Sequence, residues 1–358
     1  GSYSGLNLTT GQDNFLAGYN AGRNVTTADH GIAIGNKSLG NATLVGDYNT
    51  GIGSQAGYSL TSGTNNTAIG REAGHDVTTG IKNVFLGDTA GAKVTTGSNT
   101  IAIGRDAANT GVITGHSNTA IGREAGKNLT SGVYNTFLGP FAGGGATTPD
   151  NSVGLGLRAL GTGVLTGDNN IGVGTDAGVD LTSGATNVLI GKEAAFNATT
   201  ADNTIAIGHS AIGSGVLTGT DNLAIGRQAG FDLTSGTYNN FMGYQAGANV
   251  TTGADNTILG PSAGDALTTG SNNTIIGHDA AASAVGVSNE ITIGDTNVTK
   301  FRVPGLNFII KDSTATDNYV LTVDSSGEAG WEAAAGGGAT DINGLSDGVT
   351  NSSGATVG

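Results

Sequence analysis

"NTAIGREAG" runs from Asn66 to Gly74 and recurs letter for letter from Asn118 to Gly126. Between the copies stand "NVFLGDTAG" from Asn83 and "TIAIGRDAA" from Thr100. Taking the glycine that closes each x-I-G phrase as an anchor gives 17 anchors from Gly18 to Gly294, spaced 17 or 18 residues apart. Spacing this regular marks a stacked array rather than one compact core. Gly18, Gly70, Gly122, Gly174 and Gly226 lie 52 apart, so three coils make a larger unit. Its extra residue falls in "TGVITG" from Thr110, "TGVLTG" from Thr162 and "SGVLTG" from Ser214.

The phrase before each anchor reads as a short strand, because β-branched residues crowd into it and Gly ends it. It is too short and too punctuated for a helix. The residue just before the anchor is a large aliphatic in 16 of 17 coils. Alternation along a strand then suggests that this residue fills the coil's own core. The expected core ladder is Ile69, Leu86, Ile103, Ile121, Leu138, Ile190 and Ile225, with Met242 in the same row. The position one earlier is also apolar in all coils but the last, where it is Thr292. A strand apolar on both faces is covered on both. Phe85, Phe137, Leu189 and Phe241, 52 residues apart, are therefore expected at an interface between chains. Four before the anchor stands Asn in 12 of 17 coils, and Asn66, Asn83, Asn118, Asn135 and Asn187 are expected to bond to one another as a ladder. Elsewhere Asn sits one place earlier, at Asn99, Asn151, Asn203 and Asn289. Three after the anchor, Ala in 15 of 17 coils (Ala73, Ala125, Ala229) fits a narrow interior. The "LTTG" or "LTSG" phrases that follow, such as Leu60–Gly63 and Leu129–Gly132, read as a second short strand whose apolar residue closes that interior.

Composition removes several functions. The chain has 358 residues, no Cys and a net charge of −14. Disulfides, thiol catalysis and Cys-held metals are excluded. A strongly acidic chain with 14 Lys and Arg argues against nucleic acid and anionic membranes as partners. No apolar run approaches the roughly 18 residues of a membrane span, so no membrane insertion is expected in this segment. The chain opens on Gly1-Ser2 without an initiator Met and reads as a fragment or an internal start. The histidines, His30, His75, His116, His209 and His278, share no metal-ligand spacing and read as exposed corner residues. No nucleophile elbow, phosphate-binding glycine loop or calcium nonapeptide is present. Glu72 and Glu124 beside Arg71 and Arg123 read as a solvated charged edge. No catalytic residue, cofactor or metal is expected, and no receptor site can be named.

The phrases "NTAIGREAG", "NTIAIGRDA" and "NTIIGHDA" resemble the head repeats of trimeric autotransporter adhesins, a repeat type also found in bacteriophage tail-fibre and virion proteins. The resemblance covers residues 14 to 298. It implies a left-handed parallel β-roll and three chains side by side. The adhesin repeat is shorter, and this chain adds the "LTTG" arm. The resulting expectation is an all-β parallel β-solenoid of 17 coils, trimeric, spanning 1–298. From Lys300, "KFRVPGLNFIIKD" and "NYVLTVDSSGEAGWEAA" read as hairpin strands turning at Asp324–Gly327. They give a small β connector over 299–335 that resembles the necks of phage fibres. A Gly-rich linker and the start of a further segment fill 336–358.

Two other solenoid classes fit less well. Hexapeptide acyltransferases need an aliphatic every six residues, and six on from Ile69 is His75. Ice-binding faces need Thr pairs with a residue between, whereas Thr78-Thr79 and Thr95-Thr96 are adjacent. The expected function is a structural homotrimeric fibre, a bacteriophage tail fibre or virion appendage acting in host attachment. The alternative is a bacterial surface adhesin head. Either is extracellular, on a virion or a cell surface, and its outside partner is a host glycan or protein receptor.

Overall fold

The computed structural model describes residues 1–302 and the strand residues 319–323 and 329–333. The chain divides into two units, Gly1–Thr299 and Lys300–Gly358.

In the first unit every x-I-G phrase is a three-residue strand, from β1 (Phe15–Ala17) to β17 (Ile291–Ile293). Each strand pairs in parallel with the coil before and the coil after, in strict register. Phe85 lies between Ala68 and Ala102, and Phe137 between Ala120 and Gly154. The unit is an all-β parallel solenoid, without a helix among the described residues. Seventeen strands at about 4.8 Å each make a stack roughly 80 Å long.

The turns explain the anchor glycines and a second set of asparagines. At the anchors the backbone is left-handed, for example at Gly139 (φ 131°), where an added Cβ would come 2.6 Å from the Gly156 carbonyl oxygen. Close stacking of successive coils leaves no room for a side chain there. A second left-handed residue lies five before each anchor. Asn99, Asn151, Asn203 and Asn289 occupy that place, with φ between 53° and 62°. Asn adopts that conformation at lower cost than most residues. Their register shift by one place is thus a change of role, from ladder to turn.

The assignment of faces is opposite to the one expected from the sequence. Phe85, Phe137 and Phe241 are 0% exposed and Leu189 is 1% exposed within one chain, so they form the coil's own core. The expected core ladder points outward instead. Leu86, Leu138, Ile190 and Met242 are 37–46% exposed, while Ile69, Ile103, Ile121 and Ile225 are half-buried. The reason is the period of two: the Asn row, the Phe row and the "LTTG" aliphatics share one face, and burial of the Asn row carries Phe inward with it.

The "LTTG" arms are not strands. They are bends whose coil-to-coil hydrogen bonds converge on one carbonyl per arm, as Thr78 O accepts from Thr61 N at 3.0 Å, Gly63 N at 3.3 Å and the Thr61 hydroxyl at 2.9 Å. Bridges form only at Val25–Leu44 and Val94–Ile113. Their apolar residues do close the interior: Leu60, Leu129, Leu181 and Leu233 are at most 3% exposed. Ala73, Ala125 and Ala229 are fully buried beside them.

Inside this thin core, volumes compensate between coils. Where the inward strand residue is Phe, the residue four after the anchor is Gly on both sides: Gly74 and Gly91 about Phe85, Gly126 and Gly143 about Phe137, Gly230 and Gly247 about Phe241. An added Cβ on Gly74 would lie 2.7 Å from the Phe85 ring. At two of the three inward glycines the preceding coil supplies Leu, while beside the third, Gly154, the Phe137 ring takes up the space. Leu39 fills the place over Gly51 and Leu160 the place over Gly172, each Leu Cγ 2.9 Å from where a Cβ would stand. Leu39 and Leu160 accept left-handed φ of 46° and 51° to do so. Packing to crystal-like density makes such exchanges necessary, because a layer one side chain thick cannot relax sideways.

In the second unit, β18 (Tyr319–Val323) and β19 (Ala329–Ala333) pair antiparallel, with Leu321 opposite Trp331. The expected turn at Asp324–Gly327, the strand expected before it from 303, and the Gly-rich tail over 336–358 lie outside the described residues.

Candidate functional surfaces

Three features of the solenoid carry chemistry: a buried Asn row, an outward aliphatic face and a polar edge at the corner after the strand.

The Asn row runs through the interior. Asn83 Nδ2 donates to Asn66 Oδ1 at 3.0 Å, Asn135 Nδ2 to Asn118 Oδ1 at 3.1 Å and Asn187 Nδ2 to Asn170 Oδ1 at 2.9 Å. Each amide also donates across to the next coil's arm, as Asn135 does to Pro149 O at 2.6 Å. Each Oδ1 accepts a backbone N–H from the coil that follows, as Asn135 Oδ1 does from Ser152 at 2.9 Å. At Asn135 both amide N–H groups and the carbonyl oxygen are thereby used, which removes the cost of burying it. The row is interrupted at Gly31, Thr100, Ser152 and Thr204, each in the coil before an 18-residue step. Thr100 Oγ1 is left buried without a partner. At the last coil the place is taken by Glu290. Hydrogen bonds from the hydroxyl and backbone N–H of Ser283 hold its carboxyl below the ordinary Glu range.

Complete satisfaction makes the row sensitive to a single atom. Asn135→Asp replaces the Nδ2 donor by an oxygen that faces two acceptors, Asn118 Oδ1 and Pro149 O. The carboxyl is expected to stay protonated in the folded chain, with its pKa raised above the unfolded value of about 3.9. The folded state then holds the proton more tightly than the unfolded one. Stability relative to the parent is therefore greatest below that value, and falls as pH rises toward the raised folded pKa. Denaturant melts of both chains between pH 3 and 8 check this; a difference that does not change with pH contradicts it.

The outward face consists of two aliphatic columns, one and three residues before the anchors. The second column includes Val84, Ile101, Ile171 and Ile205, each 36–37% exposed, interspersed with Thr such as Thr67, Thr119 and Thr136. Three residues at about 3.3 Å make the face roughly 10 Å wide. Over the full stack it covers on the order of 800 Å², beyond the roughly 300–600 Å² of the largest contiguous apolar patch on a typical monomer.

The corner after many of the anchors is charged, and several of these charges are paired along the stack. Arg71 bridges Glu72 and Asp88, at 2.8 Å each, and the Asp88 carboxylate, as acceptor and counter-charge, raises its pKa. Arg158 holds Asp176 through two bonds of 2.7 and 2.8 Å, and Lys127 holds Glu124 at 2.9 Å. Asp76 is drawn two ways: burial raises its pKa, but hydrogen bonds from Lys93 and His75 outweigh that and hold it below the ordinary Asp range. The histidines do not converge. His30 stacks on Tyr48 at 4.7 Å, His75 on Tyr58 at 5.0 Å, and His116 meets Tyr134 edge-on at 5.2 Å. Among the described residues no three His, Asp or Glu side chains are grouped to hold a metal ion.

One coil breaks the corner's pattern. After Gly139 come Pro140, Phe141 and then Gly143-Gly144-Gly145. The missing side chains open a groove of about 660 Å³ between the flanking coils, lined by Glu124, Lys127, Asn128, Phe141 and Arg158 among others. Sequence reasoning passed over it, although the Gly triplet inside a repeat that elsewhere carries side chains was a visible signal.

No family model, curated protein or solved structure matches this chain.

Proposed function

We propose that this chain is a non-catalytic structural segment of a homotrimeric extracellular fibre, of the bacteriophage tail-fibre or virion-appendage kind, that acts in host attachment. The observation that carries this reading is the outward aliphatic face. About 800 Å² per chain is what one partner contributes to a stable interface of standard size. The face repeats every coil along the whole stack, so a second copy in register would match it coil for coil. Three copies around one axis bury all such faces and leave the charged corners in water. In that assembly the coil is the left-handed β-roll of the head repeats it resembles. The antiparallel pairing of Tyr319–Val323 with Ala329–Ala333 after the parallel coils supports the fibre over the adhesin head, because the segment resembles the connectors of phage fibres.

Sedimentation equilibrium of the full chain is expected to give three times the 35.0 kDa chain mass, independent of concentration in the micromolar range. Fluorescently labelled protein is expected to decorate the surface of host cells. A monomer that stays monodisperse removes the assembly, and failure to label any cell of a broad bacterial panel removes the attachment role.

A further inference from the structure

We propose that the groove at the Gly143–Gly145 coil is a binding subsite for a neutral sugar unit, a short hexose oligosaccharide without carboxylate or sulfate groups. This deepens the attachment reading and rests on it. Four observations converge on that ligand.

The first is the shape. Gly144 and Gly145 leave bare backbone as a floor, and the next coil adds Gly161 at the same height. A volume of about 660 Å³ lies inside the range of roughly 300–1,000 Å³ usual for small-molecule sites. In other coils the same offset bears side chains, such as Ala92-Lys93, Lys127-Asn128 and Phe231-Asp232.

The second is Phe141. It occupies the left-handed place two after the anchor with φ 60°. Described coils elsewhere put short, polar or charged residues there, including Thr89, Asp106, Glu193, Gln228 and Gln245. A bulky aromatic in that conformation is strained, and strain of this kind gathers at functional positions. The Arg123 guanidinium sits 4.3 Å from the ring centroid, which fixes the ring. An aromatic edge or face held beside a wet floor suits the C–H face of a pyranose.

The third is preorganised polarity. Arg158 is locked by two bonds to Asp176, itself 5% exposed, and Lys127 by its bond to Glu124. Fixed donors and acceptors on both walls meet the vicinal hydroxyls of a sugar with little ordering cost.

The fourth is charge. Lys127 and Arg158 are each matched by a carboxylate, so the groove is neutral overall, and the chain around it carries −14. Among the residues that line the groove, an anionic sugar or a phosphate would find no unpaired cation, and Arg123, engaged on the Phe141 ring, is not one of them. A neutral polyol loses nothing by that. In a trimer three such grooves would act together, which converts weak single sites into firm attachment.

The test uses the full-length chain and saturation-transfer NMR against neutral glucose-, galactose- and mannose-based oligosaccharides, with sialylated and sulfated counterparts as comparison. Phe141→Gln supplies the clean variant, since Gln228 and Gln245 hold the same left-handed place in other coils. Gly144→Lys supplies the blocking variant, since Lys127 stands at that offset one coil earlier. The expected result is transfer from a neutral oligosaccharide to the parent chain. Affinity should fall at least tenfold in both variants, with unchanged melting and oligomeric mass. The proposal is overturned if no neutral oligosaccharide binds, if only the charged ones do, or if both variants, still folded, bind like the parent. Cell labelling separates this from the wider reading. Parent and Phe141→Gln labelling cells equally well leaves attachment standing and removes the groove from it. A parent that binds a neutral oligosaccharide through Phe141 but labels no cell keeps the groove and removes attachment.

Discussion

Replacing Phe85, Phe137 and Phe241 together by Asp is expected to abolish folding of the solenoid, not merely its association. The three rings are fully buried within a single chain. Truncating a buried Phe to Ala costs about 3–5 kcal/mol, and an unpaired buried carboxylate costs more. The core has no spare layer to absorb the change. Around Phe137 stand Gly126 and Gly143, which have no side chain to swing into a cavity. Circular dichroism should show no cooperative melt for the triple variant. A single Phe137→Ala should act locally, since each coil touches only its neighbours. Hydrogen exchange is expected to accelerate over the coils next to β8 (Thr136–Leu138) and to stay slow far along the stack. Melting of the triple variant at the parent's temperature contradicts the placement of these rings.

The same three positions show how far the sequence could be read. The 17/18 spacing fixes the coil count and the parallel register, because an in-register stack is the only arrangement that puts every anchor on the next one. The x-I-G phrase fixes the strands. Which face is inside is harder, because both faces are apolar and period two distinguishes them without orienting them. Three details hold the answer. Thr50, Thr67, Thr119 and Thr136 alternate with Val and Ile in the column that shares a face with Leu86, and a hydroxyl column suits an outer surface. The Asn row shares the face of Phe85, and a row that bonds to itself can be buried. Finally, Gly51, Gly154 and Gly172 stand in the Phe column, and the Leu39 and Leu160 that compensate two of them are visible only when coils are compared across the 52-residue unit. The "LTTG" arms were legible as core-closing but not as bends, because their coil-to-coil hydrogen bonds converge on one carbonyl instead of running along a ladder. The groove was not legible as a site because its signal is an absence of side chains, which acquires meaning only with the flanking coils in place.

Moving one residue along the same strands should give the opposite phenotype. In β5 (Val84–Leu86) and β8, and in β11 (Val188–Ile190) and β14 (Asn240–Met242), the last residue points out while the middle one points in. Leu86→Asp, Leu138→Asp, Ile190→Asp and Met242→Asp combined leave the coil's own core, its Asn row and its turns untouched. In the proposed trimer the same four changes place twelve carboxylates in a seam that otherwise buries aliphatics worth about 1.5–3 kcal/mol each. Like charges at that spacing cannot all be neutralised, and no cation lies on the outward face of these four strands to pair with them. The expected product is a monomer of 35.0 kDa by sedimentation, with the β signature of the parent in circular dichroism and a melting transition that no longer depends on assembly. Two results would count against this. A trimer of unchanged stability means the outward columns face solvent. A chain that fails to fold at all means the isolated stack needs its partners to stand, which ties folding to assembly and makes the apolar face part of one core shared by three chains.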